Sequence, residues 1–71
     1  MHRLSVESRA VESVGYDART RTLEVEYVGG GVYRYRGVSQ RVHETLMQAE
    51  SHGEFVNRRI KPYYRCERVA T

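Results

Sequence analysis

The chain has 71 residues, of which 39% are hydrophobic and 30% are charged, a composition typical of one small folded domain and not of a disordered chain. Its single cysteine, Cys66, cannot form an intramolecular disulfide, and no apolar run approaches the roughly 20 residues that a membrane span requires. The composition therefore excludes a disulfide-stapled scaffold and a membrane-spanning helix. Because the first residues also lack an apolar stretch long enough for a signal peptide, we expect a cytoplasmic, reducing setting.

The formal net charge of +3 is concentrated near the C-terminus. Residues 1–53 carry seven basic and seven acidic side chains, whereas residues 54–71 carry five basic and two acidic ones. All but one of the basic residues are arginine, whose planar guanidinium favours bidentate contact with carboxylate or phosphate. The last part of the chain is therefore the better candidate for contact with an anionic partner.

The N-terminal part of the chain predicts an edge segment followed by a strand. Residues 1–5 are expected to be loosely ordered. Valines recur with imperfect alternation over residues 6–11, and we interpret this stretch as a short extended segment that covers a sheet edge. Val14 and Tyr16 then share one face, which predicts a strand over residues 13–17.

A turn after this strand leads into a second strand. The stretch from Asp17 to Thr22 has turn chemistry, because an aspartate at its start can bond to the local backbone. A four-residue loop at residues 18–21 keeps the apolar side chains on one face of the sheet. This register pairs Tyr16 with Leu23 and Val14 with Val25.

The stretch from Leu23 to Val38 predicts a β-hairpin. Two alternating runs rich in valine and tyrosine flank the triple glycine at residues 29–31, which is a strong short-range hairpin signal. A three-residue loop at these glycines separates a tyrosine-bearing apolar face from a face of cross-strand ion pairs, whereas a two-residue loop would mix the faces. The three-residue register opposes Tyr27 to Tyr33, Val25 to Tyr35, Glu26 to Arg34 and Glu24 to Arg36.

A helix is predicted after this hairpin. From Val38 onward the hydrophobic period changes from two to about 3.6 residues, which is typical of an amphipathic helix. Ser39 is the expected N-cap, since a serine side chain accepts a hydrogen bond from the first turn. The inward stripe of the helix consists of Val42, Leu46 and Ala49.

A second, short helix follows the first. Ser51 and Glu54 have the spacing of a capping box, which predicts that this helix begins there. It carries Phe55 and Ile60, and it ends before Pro62, because proline biases the preceding residue away from the helical conformation.

These elements predict an α+β fold with the order β-β-β-α-α-β. A three-stranded antiparallel meander precedes two short helices, which pack together on one face of the sheet. Residues 63–69 form either a final short strand or an ordered arm, and residues 70–71 are expected to be loosely ordered at the end of a single domain. The inner face of the meander comprises Val14, Tyr16, Leu23, Val25, Tyr27, Tyr33 and Tyr35.

Catalysis and metal binding have little support in the sequence. The three histidines and Cys66 lack the paired close spacing of a zinc site. Ser39 and Ser51 fit helix caps, and no histidine–acid partnership is visible around either one. The triple glycine is followed by a strand and lacks the Gly-Lys-Ser/Thr ending of a phosphate loop. We therefore predict a protein that is not an enzyme, with no cofactor, metal site, membrane contact or small-molecule substrate.

Tyr33 and Tyr35 alternate with Arg34 and Arg36, a pattern with two interpretations. Aromatic rings beside arginines on a sheet face are one means of stacking and holding single-stranded RNA. Alternatively, both tyrosines face the helices and belong to the core, while the arginines pair with glutamates on the opposite face. We prefer the core interpretation, because the tyrosines share a face with the apolar residues of the meander.

The basic C-terminal segment is the better candidate for a nucleic-acid interface. Cationic groups near exposed aromatic rings suit phosphate contact combined with base stacking. The alternative is a solvated face that improves solubility. The candidate binding residues are Arg58, Arg59, Lys61, Tyr63, Tyr64 and Arg65.

A series of short motifs also runs through the chain. They are Val6-x-Ser8, Val14-Gly15-Tyr16-Asp17, Leu23-Glu24-Val25, Tyr33-Arg34-Tyr35 and Ser51-x-Gly53-x-Phe55-x-Asn57-x-x-Ile60-Lys61. In order and spacing this series resembles the KTSC domain family, named for its occurrence at the C-terminus of some lysyl-tRNA synthetases. The resemblance implies a small stand-alone domain, with RNA binding suggested by the synthetase association. The motif residues that we expect to be structural are Tyr33, Tyr35, Ser51, Gly53, Phe55, Asn57 and Ile60.

Two functional hypotheses follow. The first is a non-catalytic module that binds RNA, either a tRNA or a single strand, through the basic C-terminal segment. The alternative is a protein-interaction or structural module in which an exposed sheet edge or apolar patch meets a protein partner or forms a homodimer.

Overall fold

The computed structural model describes residues 1–70 (for Ala70, the backbone), and it shows a five-stranded antiparallel sheet with helices on one face. The strands lie side by side in chain order: β1 (Arg3–Ser5), β2 (Val11–Asp17), β3 (Thr22–Tyr27), β4 (Val32–Arg36) and β5 (Cys66–Ala70). Between β4 and β5 the chain forms α1 (Gln40–Gln48), α2 (His52–Phe55) and a π-helical turn (Val56–Ile60) that continues α2. The predicted α+β class is confirmed.

The predicted meander is the centre of a larger sheet, in which β2, β3 and β4 are flanked by a further strand on each side. Loose order is predicted for residues 1–5, but Arg3–Ser5 pairs with β2 as an edge strand. Of the two interpretations left open for residues 63–69, the structure has the strand, since Cys66–Ala70 pairs with β4. The expectation of loose order at residue 71 lies outside the described residues.

The hairpin between β3 and β4 has a three-residue loop, as predicted, but the loop lies one residue earlier in the chain. The N–H of Tyr27 donates to the carbonyl of Gly31 at 3.1 Å, and the N–H of Gly30 donates to the carbonyl of Tyr27 at 3.1 Å. Gly29, with φ +68°, occupies the turn position that needs a left-handed backbone. The actual register opposes Val25 to Tyr33, Leu23 to Tyr35, Glu24 to Arg34 and Thr22 to Arg36.

The predicted hairpin register is therefore wrong by two residues. Any of three consecutive glycines can take the left-handed position, and a shift of two residues leaves every side chain on its predicted face. The other predicted register is confirmed, with Tyr16 opposite Leu23 and Val14 opposite Val25.

Both predicted helix starts are confirmed by side-chain caps. The Ser39 hydroxyl accepts a hydrogen bond from the N–H of Val42 at 3.2 Å, and the Ser51 hydroxyl accepts one from the N–H of Glu54 at 3.2 Å. At the other end of the second helix, the N–H of Lys61 donates to a carbonyl five residues back, which closes the π-helical turn before the proline.

The core lies between the inner face of the sheet and the helices. Tyr35 is 2% exposed and belongs to this core, whereas Tyr16, Tyr27 and Tyr33 pack against its margin and are half-buried. The Tyr16 hydroxyl donates to the carbonyl of Val38 at 2.6 Å, which ties β2 to the chain entering α1. The buried cluster is Val11, Val14, Leu23, Val25, Tyr35, Val38, Leu46, Val56 and Ile60.

The opposite face of the sheet buries a carboxylate instead of an apolar cluster. Glu24 is 3% exposed, accepts a hydrogen bond from Arg34 Nε at 2.8 Å and forms an ion pair with the Arg3 guanidinium. Burial alone would raise the pKa of Glu24, but the hydrogen bonds from Arg34 and Arg3 outweigh it and hold the pKa below its ordinary value. The predicted partner of Glu24 was Arg36, which instead pairs with Glu67 on β5.

Arg3 reaches this carboxylate across a glycine. A Cβ on Gly15 would lie 2.8 Å from the carbonyl oxygen of His2 and 2.9 Å from Cγ of Arg3, closer than side chains tolerate. The guanidinium Nε of Arg3 also donates to the Ser13 hydroxyl at 3.0 Å. The absence of a side chain at Gly15 therefore lets β1 and its arginine lie against the sheet.

The first prediction concerns this ion pair. We expect Arg3→Met, which keeps the hydrocarbon stem, to lower the free energy of unfolding by about 1–2 kcal/mol. The buried Glu24 carboxylate then loses one of its two cationic partners and keeps only Arg34. Urea denaturation measures the change. The matched control is Arg9→Met at an exposed position, for which we expect a change within about 0.5 kcal/mol. Equal losses in both variants would contradict the role given to Arg3.

The second prediction concerns His43, whose ring stacks on Tyr16 with centroids 4.6 Å apart and an interplanar angle of 9°. Burial lowers the pKa of His43 from its ordinary 6.5, an effect that Glu44 opposes in part. The unfolded chain therefore binds more protons than the folded protein below about pH 6.5, and stability falls as the pH decreases through that window.

We expect the Tm to fall between about pH 7.5 and pH 5.5 and the variant His43→Phe, which keeps an aromatic ring on Tyr16, to lose most of that dependence. His2→Asn, at an exposed position, is the control and should retain it. Thermal unfolding followed by circular dichroism makes the measurement. An unchanged pH dependence in His43→Phe would contradict the assignment.

Candidate nucleic-acid interface

The structure distributes the predicted binding residues over several surfaces. Three of them line one groove, a fourth lines a separate cleft, and the remaining two lie elsewhere. The groove has Arg59, Tyr63 and Tyr64, the cleft has Lys61, and Arg58 and Arg65 line other hollows.

The first surface, which we call the basic groove, lies between α1 and the segment that follows the second helix. It is a hollow of about 570 Å³ lined by Arg41, Thr45, Phe55, Arg59, Tyr63 and Tyr64, together with an edge of Val42. Tyr63 is 74% exposed, so one face of a large aromatic ring is open to a ligand. The groove thus combines cationic and aromatic side chains.

The turn after the second helix positions the two tyrosines of the basic groove. The N–H groups of Tyr63 and Tyr64 both donate to the carbonyl of Ile60 at 3.1 Å, which folds the chain back directly after Pro62. Tyr64 is half-buried and packs against the core, so it anchors the turn and leaves Tyr63 exposed beside it.

The cations of the basic groove come from two helices. The Arg59 guanidinium carbon lies 5.7 Å from the centroid of the Phe55 ring, within the range of a cation–π contact. Arg41 reaches the groove from the first turn of α1. Within the described residues, neither arginine forms an ion pair. The sequence analysis missed Arg41, although its i, i+4 spacing to Thr45 places both on one helix face.

Arg58 and Arg65 have other surroundings. Arg58 Nη1 lies 3.5 Å from Glu54 Oε1, an exposed i, i+4 pair, and lines a polar hollow that it shares with Arg9. Arg65 lies beside Arg36 at the start of β5.

The second surface, which we call the tyrosine cleft, opens at the hairpin end of the sheet. It has a volume of about 500 Å³ and is lined by Tyr27, Tyr33, Tyr35, Lys61, Cys66 and Arg68, with two hairpin glycines completing the wall. Lys61 Nζ lies 5.0 Å from the Tyr27 ring centroid, and the Arg68 guanidinium carbon lies 5.9 Å from that of Tyr33. The cleft therefore has aromatic walls and a cationic rim.

The tyrosines of the cleft are held by contacts with each other. The hydroxyls of Tyr27 and Tyr35 are hydrogen-bonded at 2.6 Å, and the rings of Tyr27 and Tyr33 meet edge to face with centroids 5.6 Å apart. Burial raises the pKa of both Tyr27 and Tyr35, and their hydrogen bond raises that of Tyr27 further. Both phenols are therefore neutral at physiological pH and act as hydrogen-bond groups, not as anions.

The two tyrosines of the Tyr-x-Tyr pattern share the inner face of the sheet but differ in depth. Tyr35 is a core residue, whereas Tyr33 lies half-buried on the cleft surface. Of the other motif residues, Gly53 allows a close approach, since a Cβ there would lie 2.9 Å from Cβ of Ala10. Asn57 is exposed, and within the described residues its side chain makes no hydrogen bond.

The described part of the chain has neither a metal-binding cluster nor a membrane-spanning helix. There, no three side chains of histidine, cysteine, aspartate or glutamate converge closely enough to share a metal ion. None of its helices has both the length and the apolarity of a membrane span.

Comparison with known proteins gives consistent matches. The family model of the KTSC domain matches residues 7–64. The crystal structure of a KTSC domain protein from Yersinia pestis is similar to this chain with a TM-score of 0.94 and 37% identity, over 96% of both chains. An uncharacterized protein of Stutzerimonas stutzeri is 39% identical over 97% of this chain and 99% of its own length.

A second kind of relative is much longer. A lysine–tRNA ligase of Nostoc punctiforme is 33% identical to this chain over 94% of the chain, a stretch that makes up 12% of the ligase. A lysine–tRNA ligase of Trichormus variabilis matches over the same shares at 31% identity. A stretch similar to this chain thus occurs both as a small protein of nearly the same length and as a small part of a much longer ligase.

Proposed function

The chain belongs to the KTSC domain family, and from this premise we propose that it is a small non-catalytic module that binds single-stranded RNA through the basic groove. The observation that carries the proposal is the exposed ring of Tyr63 in a groove that also holds Arg41 and Arg59, two arginines without a carboxylate partner in the described residues. An unpaired segment of a tRNA is one example of such a single strand.

The groove has the two features that bind a nucleic-acid strand without regard to its sequence. Arginines attract the phosphates and release their counterions, and an exposed aromatic ring stacks on a base, which contributes about 1–3 kcal/mol per base. Arg41 and Arg59 supply the first feature, and Tyr63 supplies the second. The net charge of +3 is modest, so the affinity depends on this local arrangement and not on the charge of the whole domain.

The relatives support an RNA partner. A lysine–tRNA ligase acts on tRNA, and a stretch of such ligases is similar to nearly the whole of this chain. A domain attached to an enzyme that acts on tRNA is well placed to hold part of the RNA. We carry this role over to the present chain as part of the proposal.

The lining of the basic groove supports a non-catalytic role. Among the described residues, no histidine, cysteine, aspartate or glutamate lines it, and its polar side chains are those of arginine, tyrosine and threonine. Its arginines offer several hydrogen-bond donors and no acceptor, which suits the binding of anions.

A protein-interaction role is the second candidate, and one observation favours it. β1 and β5 are the two edge strands, and each carries an exposed apolar side chain: Leu4 on β1 is 57% exposed, and Val69 on β5 is 39% exposed. Open strand edges of this kind can pair with another chain. Sedimentation equilibrium distinguishes a monomer from a dimer formed through these edges, and a monomer at high concentration would count against the dimer.

The third prediction tests the basic groove. We expect a labelled single-stranded RNA of about 12 nucleotides to bind in fluorescence anisotropy at about 50 mM salt, with an affinity that falls steeply as salt is added. The double variant Arg41→Ala with Arg59→Ala should weaken binding about tenfold and reduce the slope of log affinity against log salt by about 1.4, since each phosphate contact of a single strand contributes about 0.7.

The matched control removes the same charge elsewhere. Arg9→Ala with Arg58→Ala, both on the polar hollow, should change the affinity by less than about twofold, because long-range charge effects on an exposed surface are screened by salt. Equal losses in the two double variants would show non-specific charge attraction and contradict the groove. Absence of binding at low salt would contradict the RNA proposal altogether.

A further inference from the structure

We propose that the tyrosine cleft is a second binding site, a pocket for one nucleobase together with its phosphate. The inference rests on the proposed function in taking an RNA strand as the source of that nucleotide. The capacity of the cleft for a mononucleotide is nevertheless a separate property and can be measured alone.

The walls of the cleft suit a flat aromatic ligand. Its volume of about 500 Å³ falls within the range of small-molecule pockets, and three tyrosines are among its lining residues. The rings of Tyr27 and Tyr33 are inclined at 71° to each other, so a planar base that stacks on one ring presents its edge toward the other. Stacking of this kind accepts every base, because each has a π-face.

The hydroxyl groups of Tyr27 and Tyr35 offer a hydrogen-bond donor to a ligand in the cleft. In the hydrogen bond between Tyr27 and Tyr35 one O–H donates to the other, so the second O–H proton remains without an acceptor among the described residues. A neutral phenol of this kind can donate to a carbonyl oxygen or a ring nitrogen of a base. Tyr35 is fixed in the core and Tyr27 is held against it, so the donor is positioned before the ligand arrives.

The cationic rim of the cleft suits an anionic group of a ligand. Lys61 and Arg68 are exposed, lie over the tyrosine rings, and within the described residues have no carboxylate at ion-pair distance. Glu67, the acidic residue that precedes Arg68 in the chain, already pairs with Arg36 on the other face of the sheet. The phosphate of a nucleotide whose base stacks in the cleft would lie near both cations. An uncharged aromatic ligand cannot form these ionic contacts.

The position of the cleft relative to the basic groove favours a nucleotide of a strand. Lys61 at the cleft and Tyr63 in the groove are separated along the chain by Pro62 alone. Under this proposal a strand bound along the groove continues past this turn, and a neighbouring base enters the cleft. The two sites then act on one ligand through a single turn of the protein.

The fourth prediction tests the cleft with free mononucleotides. We expect adenosine 5′-monophosphate, titrated into the ¹⁵N-labelled protein, to shift the backbone amide signals of Gly30, Gly31 and Arg68 and to bind at least about fivefold more tightly than adenosine or inorganic phosphate, because only the nucleotide uses both the walls and the rim. Equal affinity for phosphate alone, or shifts confined to the basic groove, would overturn the proposal.

Two pairs of substitutions separate this site from the groove. Lys61→Gln with Arg68→Gln should weaken the nucleotide about tenfold, since both side chains are exposed and the fold does not depend on them. Arg41→Gln with Arg59→Gln removes the same charge and should weaken RNA while leaving the nucleotide-induced shifts of the cleft amides Gly30, Gly31 and Arg68 unchanged. Equal losses of nucleotide affinity in the two variants would contradict the cleft.

The failures of the two proposals are distinguishable. If RNA binds and the mononucleotide does not, the cleft proposal alone is wrong. If the mononucleotide binds and RNA does not, the cleft is a site for free nucleotides and the RNA proposal is wrong. If an acidic peptide containing phenylalanine shifts the same amides more strongly than the nucleotide, the cleft is a peptide site and the nucleotide assignment is wrong.

Discussion

A buried carboxylate holds together the face of the sheet that no helix covers. Glu24 on the central strand lies between Arg3 of β1 and Arg34 of β4, so one side chain joins three of the five strands. Such a group is unfavourable in a low-dielectric site unless cations and hydrogen bonds surround it, and here two arginines do so. Their hydrocarbon stems also shield the backbone of the sheet. A domain of this size can therefore place its apolar residues on one face of the sheet, under the helices. The outer surfaces of the helices then remain exposed to solvent.

Much of the fold follows from local rules that the chain obeys closely. The registers of β2 and β3, the two serine caps and the tyrosine-bearing inner face could be predicted, because alternation of period two and capping geometry leave few alternatives. The hairpin register could not, since three glycines offer the turn several equivalent positions and a shift of two residues preserves both faces. The edge strand β1 has no local signal at all. It is held by backbone pairing with β2 and by Arg3, which reaches a carboxylate 21 positions away, across a glycine.

The candidate site illustrates a different limit. Residues 58–65 form one basic segment in the sequence, but a helix and a tight turn direct their side chains to different surfaces. Spacing along the chain therefore predicted Arg59, Tyr63 and Tyr64 as part of one candidate surface and could not separate them from Arg58 or Lys61. Arg41 and Arg68 joined these surfaces from elements distant in sequence. The Tyr-x-Tyr pattern was likewise divided by depth, one ring in the core and one at a surface, which alternation alone cannot resolve.

The strand order has a thermodynamic consequence for the cleft. β5 is an edge strand whose described side chains are all exposed, and both helices lie between it and its partner β4 in the chain. Such a strand detaches by local unfolding, at a free energy well below that of the whole domain, because little apolar surface is lost. Because Cys66 and Arg68 of β5 line the cleft, a ligand bound there would also favour the conformations in which β5 is paired. Occupancy and the protection of the β5 amides from hydrogen exchange are then two measures of a single equilibrium.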